Sequence, residues 1–204
     1  TNTRFFRRDG RFFVNTPGPD GKPADFEVRY TFGVSPLQQY LVAFPGGRLQ
    51  ALPFAWDTEK RRWFLVNPES GAAGDALHWT GRYQNWNMMC AECHSTQLRK
   101  GYDADADTYD TRWQAINVGC QSCHGPGADH VAWAVVAKDA RPASSGAAGK
   151  GLLASFRNVD ARTEVDACGA CHSRRQRLTD GASPGKPLLD NYRPELLREG
   201  LYHA

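Results

Sequence analysis

The sequence predicts an α+β fold in which a small N-terminal antiparallel β meander precedes a mostly helical and loop-rich domain. Three observations predict it. Apolar and polar residues alternate in short runs as far as Val66, as in half-buried strands. From Gly71 onward the alternation gives way to short helical patterns. The 20 glycines and 12 prolines among 204 residues indicate many turns. We therefore expect two domains, 1–70 and 71–204.

Six short runs make up the predicted meander. Asp9-Gly10 separates the first two and is a strong signal for a two-residue hairpin turn. The runs are Arg4–Arg8, Arg11–Val14, Phe26–Phe32, Gln38–Phe44, Arg48–Phe54 and Trp63–Val66. Residues 1–70 contain no cysteine and no histidine. We therefore expect this domain to ligate no metal and to act as a cover, a docking surface or a purely structural addition.

One pentapeptide pattern, C-x-x-C-H, organises the rest of the chain. Two cysteines three apart lie on one face of a helical turn, where both can form thioethers to one porphyrin, and the next histidine can ligate its iron. This is the attachment signature of a c-type haem. All six cysteines fall in three such motifs: Cys90, Cys93 and His94; Cys120, Cys123 and His124; Cys168, Cys171 and His172. The pattern predicts three covalently bound haem c groups.

Other uses of paired cysteines fit the sequence less well. A four-cysteine zinc site would leave the third pair and all three following histidines unexplained. Structural disulfides need cysteines paired across the fold, for which adjacent C-x-x-C pairs are poorly placed. A thioredoxin-like site needs a neighbouring βαβ pattern, which is absent from the sequence. Covalent haem is the remaining interpretation.

Short helices are predicted around these motifs, with stacked haems in place of a side-chain core. Thr163 or Asp166 is the expected N-cap of the helix that leads into Cys168. Arg141–Gly151 has the composition of a loop. The expected helical segments are Arg82–Cys93, Trp113–Cys123, Asp129–Lys138, the segment before Cys168, and one turn near Pro194–Arg198.

Three histidines lie outside the motifs and match the three remaining axial positions in number. His78, His130 and His203 are therefore the candidate distal ligands. His130 follows His124 across a glycine turn and is expected to reach a different haem. Met88 and Met89 are the competing ligands, although their position just before Cys90 suits their own haem poorly. The sequence alone does not assign a distal ligand to each haem.

Charge and hydropathy narrow the classes of partner. The formal charge is +3. Three ferric haems would add about six negative propionates and roughly one net positive charge per iron–porphyrin core, which leaves the loaded protein near neutral. The basic residues are dispersed, so nucleic-acid binding is not predicted.

Arg174, Arg175 and Arg177 are either propionate partners or a solvated basic helix end. No apolar run has the length of a transmembrane helix. The Asp103–Asp110 run is interpreted as a solvated acidic turn rather than a calcium loop.

Two stretches resemble a known family. Residues 79–96 around the first motif, and Cys120–His130 around the second, are similar to bacterial multihaem cytochromes c that carry tetratricopeptide repeats. Residues 30–50 fit the same group. The haem part also resembles the hydroxylamine oxidoreductase and pentahaem nitrite reductase superfamily. That resemblance implies a distal-ligand role for His130 and, more loosely, for His78. It also implies further haem motifs and a helical repeat domain, so we expect a central piece of a longer protein.

These observations predict an electron-transfer protein with low-spin, bis-histidine haems, rather than an enzyme. One alternative is an oxidoreductase of small nitrogen or sulfur compounds, which needs a five-coordinate iron. Another is a subunit of a haem filament or larger complex. The expected partners are redox proteins, and further haem domains or copies of this chain are a second class. Covalent haem attachment normally occurs outside the cytoplasm, so a periplasmic or extracellular location is predicted.

Overall fold

The computed structural model describes residues 3–66, 68, 71–141, 149–179 and 183–196. The chain divides into two compact units. Unit 1 comprises residues 1–94 and 100–117, and unit 2 comprises residues 95–99 and 118–204. The first C-x-x-C-H motif thus lies in unit 1 and the other two lie in unit 2. The predicted division into haem-free 1–70 and haem-bearing 71–204 stays a prediction.

Unit 1 is built on one six-stranded antiparallel sheet that forms a half-barrel. Its strands follow one another in chain order, so every connection is between neighbours. The strands are β1 (Arg4–Arg8), β2 (Arg11–Pro17), β3 (Pro23–Phe32), β4 (Leu37–Phe44), β5 (Arg48–Asp57) and β6 (Arg62–Leu65). Each lies where the alternating runs of the sequence place a strand.

Turn chemistry and two bulges shape this sheet. Asp9 and Gly10 both have positive φ, at 51° and 76°, as a two-residue hairpin turn between β1 and β2 requires. The register shifts between Val28 and Tyr30 on β3, and between Gln39 and Leu41 on β4. Bulges of this kind increase the local twist and bend the strands. They account for a curved sheet rather than a flat one.

One buried cluster of unit 1 packs against the sheet. Val14, Val42, Leu52 and Trp79 are buried together, and partly buried aromatic side chains surround them. Phe26 and Phe44 stack at 5.9 Å, and both meet Trp79 edge-on. The Trp79 indole also donates a 2.7 Å hydrogen bond to the Pro17 carbonyl. The segment that contains His78 is therefore anchored on the sheet through its neighbour.

The remaining elements are short. In unit 1 they are α1 (Trp86–Met89), α2 (Ala91–His94), β7 (Tyr102–Asp103) and β8 (Thr108–Tyr109). In unit 2 they are α3 (Gln121–His124), α4 (Ala128–Val135), α5 (Ala161–His172), β9 (Arg175–Arg177) and β10 (Tyr192–Pro194). Strands β7 and β8 form one hairpin, and β9 pairs with β10. Among the described helices, none is long and apolar enough to cross a membrane.

The predicted fold class is wrong in its second part. The protein is 33% strand and 24% helix, so it is mostly antiparallel β rather than mostly helical after residue 70. The reason is that the segments before the first two haem motifs do not propagate as helices. Arg82–Cys93 is broken at Asn85, whose side chain accepts from Met88 N and restarts the chain as α1. The predicted helix Trp113–Cys123 is reduced to α3, which lies within the second motif itself, and Trp113 lies in irregular chain.

Two smaller expectations also need correction. The N-cap of α5 is Asp160, not Thr163 or Asp166, because the Asp160 side chain accepts from the Thr163 N–H at 2.8 Å. Arg175 and Arg177 belong to strand β9 and not to a helix end. Strand pairing with β10 sets their conformation. Of the predicted helical turn near Pro194–Arg198, residues 194–196 are described and are not helical, since Pro194 ends strand β10; residues 197 and 198 lie outside the described residues.

Candidate haem centres

Each of the three motifs forms one turn of helix. In the first, His94 N donates to Cys90 O at 3.0 Å, and in the second, His124 N donates to Cys120 O at 2.9 Å. The third motif ends the twelve-residue helix α5. A helical turn places residues three and four apart on one side of the axis. Both thiols and the imidazole of each motif are thereby presented on the same side.

The exposure of the six cysteines differs between the units. Cys90 and Cys93 are half-buried in unit 1, whereas Cys120, Cys123, Cys168 and Cys171 of unit 2 are exposed. Burial, followed by the charge of Cys93, raises the pKa of the Cys90 thiol to about 11. A thiol with this pKa stays protonated and unreactive at neutral pH. This chemistry differs from that of a reactive redox dithiol.

An aromatic cluster surrounds the first motif. Phe32 lies edge-on to His94 at 5.9 Å, and Trp86 contacts Phe32 at 6.3 Å and Trp113 at 5.2 Å. Trp86 is fully buried, and its indole N–H has no hydrogen-bond partner among the described residues. A buried donor without an acceptor is unfavourable by about 1–3 kcal/mol. A bound group that carries carboxylates would supply the acceptor.

A buried polar network fixes the first motif to the sheet. The Asn87 side chain accepts from Leu49 N at 2.7 Å and donates to Gly47 O and to Thr111 Oγ1. Asn85 donates to Gln50 Oε1 at 3.1 Å. Both asparagines belong to the segment that leads into Cys90. The network therefore couples the position of the motif to strand β5.

The same network reaches the segment that carries His78. Gln50 Nε2 donates to the carbonyls of Trp79 and Gly81, each at 3.0 Å. His78 itself is 8% exposed, and burial lowers its pKa, which favours the neutral imidazole that a metal ligand needs. Its Nδ1 lies 2.8 Å from Thr80 Oγ1 and 3.4 Å from Thr80 N. The Thr80 hydroxyl can either accept from Nδ1 or donate to it, whereas the Thr80 amide can only donate. The hydroxyl contact is therefore compatible with both tautomers, and the amide contact favours the one with the proton on Nε2.

One loop orients two histidines of unit 2. His124 Nδ1 lies 2.9 Å from the Ala154 carbonyl, and His130 Nδ1 lies 2.7 Å from the Lys150 carbonyl. A carbonyl can only accept, so Nδ1 carries the proton in both rings and Nε2 keeps its lone pair. This is the arrangement in which metal-bound histidines are usually held. The sequence showed no sign of these two carbonyls, since they lie 20 and 30 residues from their histidines.

Glycines allow this loop to come close to its neighbours. Gly151 has φ of +74°, and a Cβ there would lie 2.6 Å from His130 N. Gly125, directly after His124, has φ of +79°, and a Cβ there would lie 2.8 Å from the Leu153 side chain. His130 also stacks on Trp133 at 5.7 Å. Glycine at both positions is thus a requirement of the packing around His124 and His130.

The third motif is held from its C-terminal side. Arg175 Nε donates to the Ala170 carbonyl at 2.9 Å, and its guanidinium lies over the Tyr192 ring at 4.4 Å. Gly169, the only buried residue of α5, faces Leu188. Arg175 thus contributes to the end of this helix, which leaves the proposed propionate role open. His203 lies outside the described residues.

The residues of unit 2 fit a large apolar group. Helix α4 buries none of its residues, and Val131 and Val135 are 61% and 79% exposed. A porphyrin face is the kind of surface against which such side chains pack. Within the described part of the chain, no three His, Cys, Asp or Glu side chains gather to hold a metal ion. A four-thiolate zinc centre is therefore not formed there, whereas haem iron needs protein ligands only at its axial positions.

Comparison with known protein families also indicates that the chain binds haem. Residues 66–125 match the model of the family described as cytochrome c554 and c-prime. The matched segment contains the first two C-x-x-C-H motifs and His78. This match supports a multihaem c-type cytochrome.

Such a cytochrome binds haem c covalently and functions in electron transfer. A solved structure, the outer cell wall cytochrome OcwA, aligns with 78% of this chain at 22% identity and a TM-score of 0.47. The chain spans 31% of the length of that protein. No curated protein matches the chain. The resemblance to tetratricopeptide-repeat cytochromes, the number of haems and the residues that bind them stay predictions.

Proposed function

We propose that this chain is an electron carrier with three covalently attached haem c groups, each with two histidine ligands. The observation that carries the proposal is the orientation of His124 and His130. Loop carbonyls hold the proton on Nδ1 of both rings, which leaves Nε2 available for iron. With two protein ligands on each iron, no open position remains for a substrate.

The side chains have separate tasks in this proposal. Cys90 and Cys93, Cys120 and Cys123, and Cys168 and Cys171 form the thioethers. His94, His124 and His172 are the proximal ligands, and His78, His130 and His203 are the distal ligands. When bound, haem supplies one-electron chemistry through its iron. The protein supplies orientation, a low-dielectric setting and, in the case of Trp86, a buried hydrogen-bond donor.

We also propose a location outside the cytoplasm, in the periplasm or beyond the cell, because covalent haem is attached there. The partners are redox proteins, and further haem domains or copies of this chain could extend the path of electrons. Nucleic acid is not among the partners.

A second function is favoured by one observation at His78. If Thr80 N–H donates to Nδ1 at 3.4 Å, the proton resides on Nε2 and that nitrogen cannot ligate iron. One haem would then be five-coordinate, as an oxidoreductase of small nitrogen or sulfur compounds requires. The 2.8 Å contact with the Thr80 hydroxyl also permits the ligand tautomer, because the hydroxyl can accept from Nδ1. Electron transfer is the first proposal because it rests on the orientation of His124 and His130.

Spectroscopy of the haem-loaded protein tests both functions. Three bis-histidine haems predict low-spin bands only, and no binding of carbon monoxide by the reduced protein. A high-spin signal that disappears on binding of carbon monoxide or cyanide would favour the oxidoreductase. Intact mass should show three haems in the wild type and two in Cys168→Ala/Cys171→Ala. An unchanged mass increment in that variant would contradict the attachment sites.

A further inference from the structure

The positive charge of this chain is concentrated on one hairpin. Residues 4–14, which form β1, its turn and most of β2, contain four arginines and one aspartate, a formal charge of +3. The whole chain also sums to +3. The remaining residues are therefore balanced, and propionates would make that remainder negative. A molecule with this asymmetry orients itself in the field of a charged partner.

Aromatic rings hold these arginines in place. The Arg7 guanidinium lies 4.9 Å from the centre of the Phe12 ring, and that of Arg8 lies 4.4 Å from the centre of Phe13. Arg8 also pairs with Asp25 at 3.1 Å. Among the described residues, no carboxylate forms an ion pair with Arg4 or Arg7. Their charges are therefore available to a partner, and stacking reduces the entropy lost when one binds.

An open groove of about 550 Å³ lies beside the hairpin. Aromatic side chains form most of its wall, and three of them are partly exposed: Phe12 at 57%, Trp63 at 43% and Tyr30 at 38%. Phe5 stacks on Trp63 at 4.3 Å, and both rings line the groove. Arginine, tryptophan and tyrosine are the residues that contribute most to protein–protein binding. The composition is that of a binding surface rather than of a solvated face.

Packed rings connect the groove to the first haem motif within unit 1. Tyr30, which lines the groove, contacts Trp113 at 5.3 Å. Trp113 contacts Trp86, Trp86 contacts Phe32, and Phe32 contacts His94, with ring centres 5.2, 6.3 and 5.9 Å apart. A molecule seated in the groove is therefore linked by contacting side chains to the proximal ligand of the first haem.

We propose that the β1–β2 hairpin and the adjacent groove form the docking surface for an acidic redox protein. This inference rests on the proposed electron-transfer function and names its partner class and point of entry. One electron leaves the reduced centre of the partner, which is oxidised, and a ferric haem at Cys90, Cys93 and His94 is reduced to ferrous. No bond forms or breaks, and the exchange requires no proton. Charge complementarity of this kind mainly raises the association rate.

A protein fits this surface better than a small anion does. Two arginines line the groove, and one of them, Arg29, already pairs with Glu27 at 3.2 Å. A small anion in the groove would meet Arg7 alone as an unpaired cation. On β2, Arg11 pairs with Glu27 at 2.9 Å. An acidic protein surface would meet both Arg4 and Arg7 of β1 while an apolar side chain enters the groove. Complexes between redox proteins are typically transient and have interfaces of modest size.

The test is stopped-flow electron transfer from a reduced, acidic plant-type ferredoxin to the oxidised, haem-loaded protein. Arg4→Glu/Arg7→Glu is compared with Lys22→Glu/Lys186→Glu, which reverses two exposed lysines and changes the net charge equally. At low ionic strength we expect the second-order rate to fall about tenfold in the arginine variant, and less than about twofold in the lysine variant. The arginine variant should also lose most of the salt dependence. Phe12→Ala should weaken binding with little effect on folding.

Other outcomes would overturn the proposal. Equal rate losses in the two double variants would show that net charge acts without a specific surface. A naphthalene disulfonate that binds the wild type but not Phe12→Ala, with ferredoxin rates unchanged, would identify a small-anion site instead. A wild-type dimer that Phe12→Ala dissociates in sedimentation would identify a second copy as the occupant. Dithionite reduction is measured separately, and its failure would reject the electron-transfer function itself.

Discussion

At the scale of single residues, the orientation of two histidines in unit 2 depends on the backbone of the loop formed by residues 150–154. The carbonyls of Lys150 and Ala154 set the tautomers of His130 and His124. The loop reaches them because Gly151 packs against the backbone at Asp129 and His130. The loop backbone thus sets the geometry of the two histidines. A Cβ at Gly151 would overlap the neighbouring backbone and change that geometry.

Two glycines of this loop provide a matched pair of variants. Gly149 and Gly151 both have positive φ, but a Cβ at Gly149 meets nothing within 4 Å, whereas one at Gly151 overlaps the neighbouring backbone. Gly149→Ala should lower the free energy of unfolding by about 1 kcal/mol, through backbone strain alone. Gly151→Ala should lower it by at least about 2 kcal/mol and perturb the axial-ligand signals in electron paramagnetic resonance. Equal losses, with the wild-type spectrum in both variants, would contradict this account.

The candidate histidine ligands are visible in the sequence and stay a prediction, whereas the groups that orient them are not visible there. A C-x-x-C-H motif is local, so five adjacent residues contain the whole signal. The carbonyl that meets His124 is 30 residues away, and backbone atoms leave no mark in a sequence. The same limit applies to Asn87, which bonds to residues 38 and 40 positions earlier. Contacts of this length depend on the tertiary fold rather than on any local pattern.

At the scale of elements, helix α5 illustrates how a cap decides where the helix that carries the third motif begins. The Asp160 side chain accepts from Thr163 N at 2.8 Å. That backbone N–H, and then the Thr163 side chain, lower the pKa of Asp160 from its usual value of 3.8. The sequence offered Thr163 and Asp166 as alternatives because both residue types cap helices. With Asp160 as the N-cap, the helix begins about one turn earlier than a cap at Thr163 would allow. Cys168, Cys171 and His172 lie in its final turns.

The stability provided by this cap should depend on pH. The pKa of Asp160 is lower in the folded state than in the unfolded state. The contribution of the cap to stability is therefore complete above the unfolded-state pKa of about 3.9, and it is lost as the pH falls through the folded-state pKa. At pH 7, Asp160→Ala should lower the melting temperature by roughly 2–4 °C, and Asp160→Asn by less. The difference between wild type and Asp160→Ala should shrink below about pH 4. A difference that stays constant between pH 7 and pH 3 would exclude the carboxylate as the cap.

At the scale of the whole molecule, the two units are stabilised in different ways. Unit 1 has a side-chain core centred on Val14, Val42, Leu52 and Trp79. In the described part of unit 2, the buried apolar side chains are Ala154, Leu188 and Tyr192. The strands of unit 1 could therefore be predicted from alternation, which records burial by side chains. In unit 2 the helix bounds were predicted less well. Helix α3 is shorter than the predicted Trp113–Cys123, whereas α5 begins before the predicted caps Thr163 and Asp166.

This difference predicts how the full chain behaves without haem. In hydrogen exchange, the haem-free protein should keep slow amides in β2–β5, because their core consists of side chains alone. Amides of residues 118–179 should exchange at least about 100-fold faster than in the haem-loaded protein, since four-residue helices such as α3 and weakly packed longer ones do not persist alone. The haem-loaded protein under the same conditions is the reference, and Leu52→Ala should speed exchange in the sheet of both forms. Slow exchange in α5 of the haem-free protein would show that unit 2 has a core of its own, and that haem packing does not organise it.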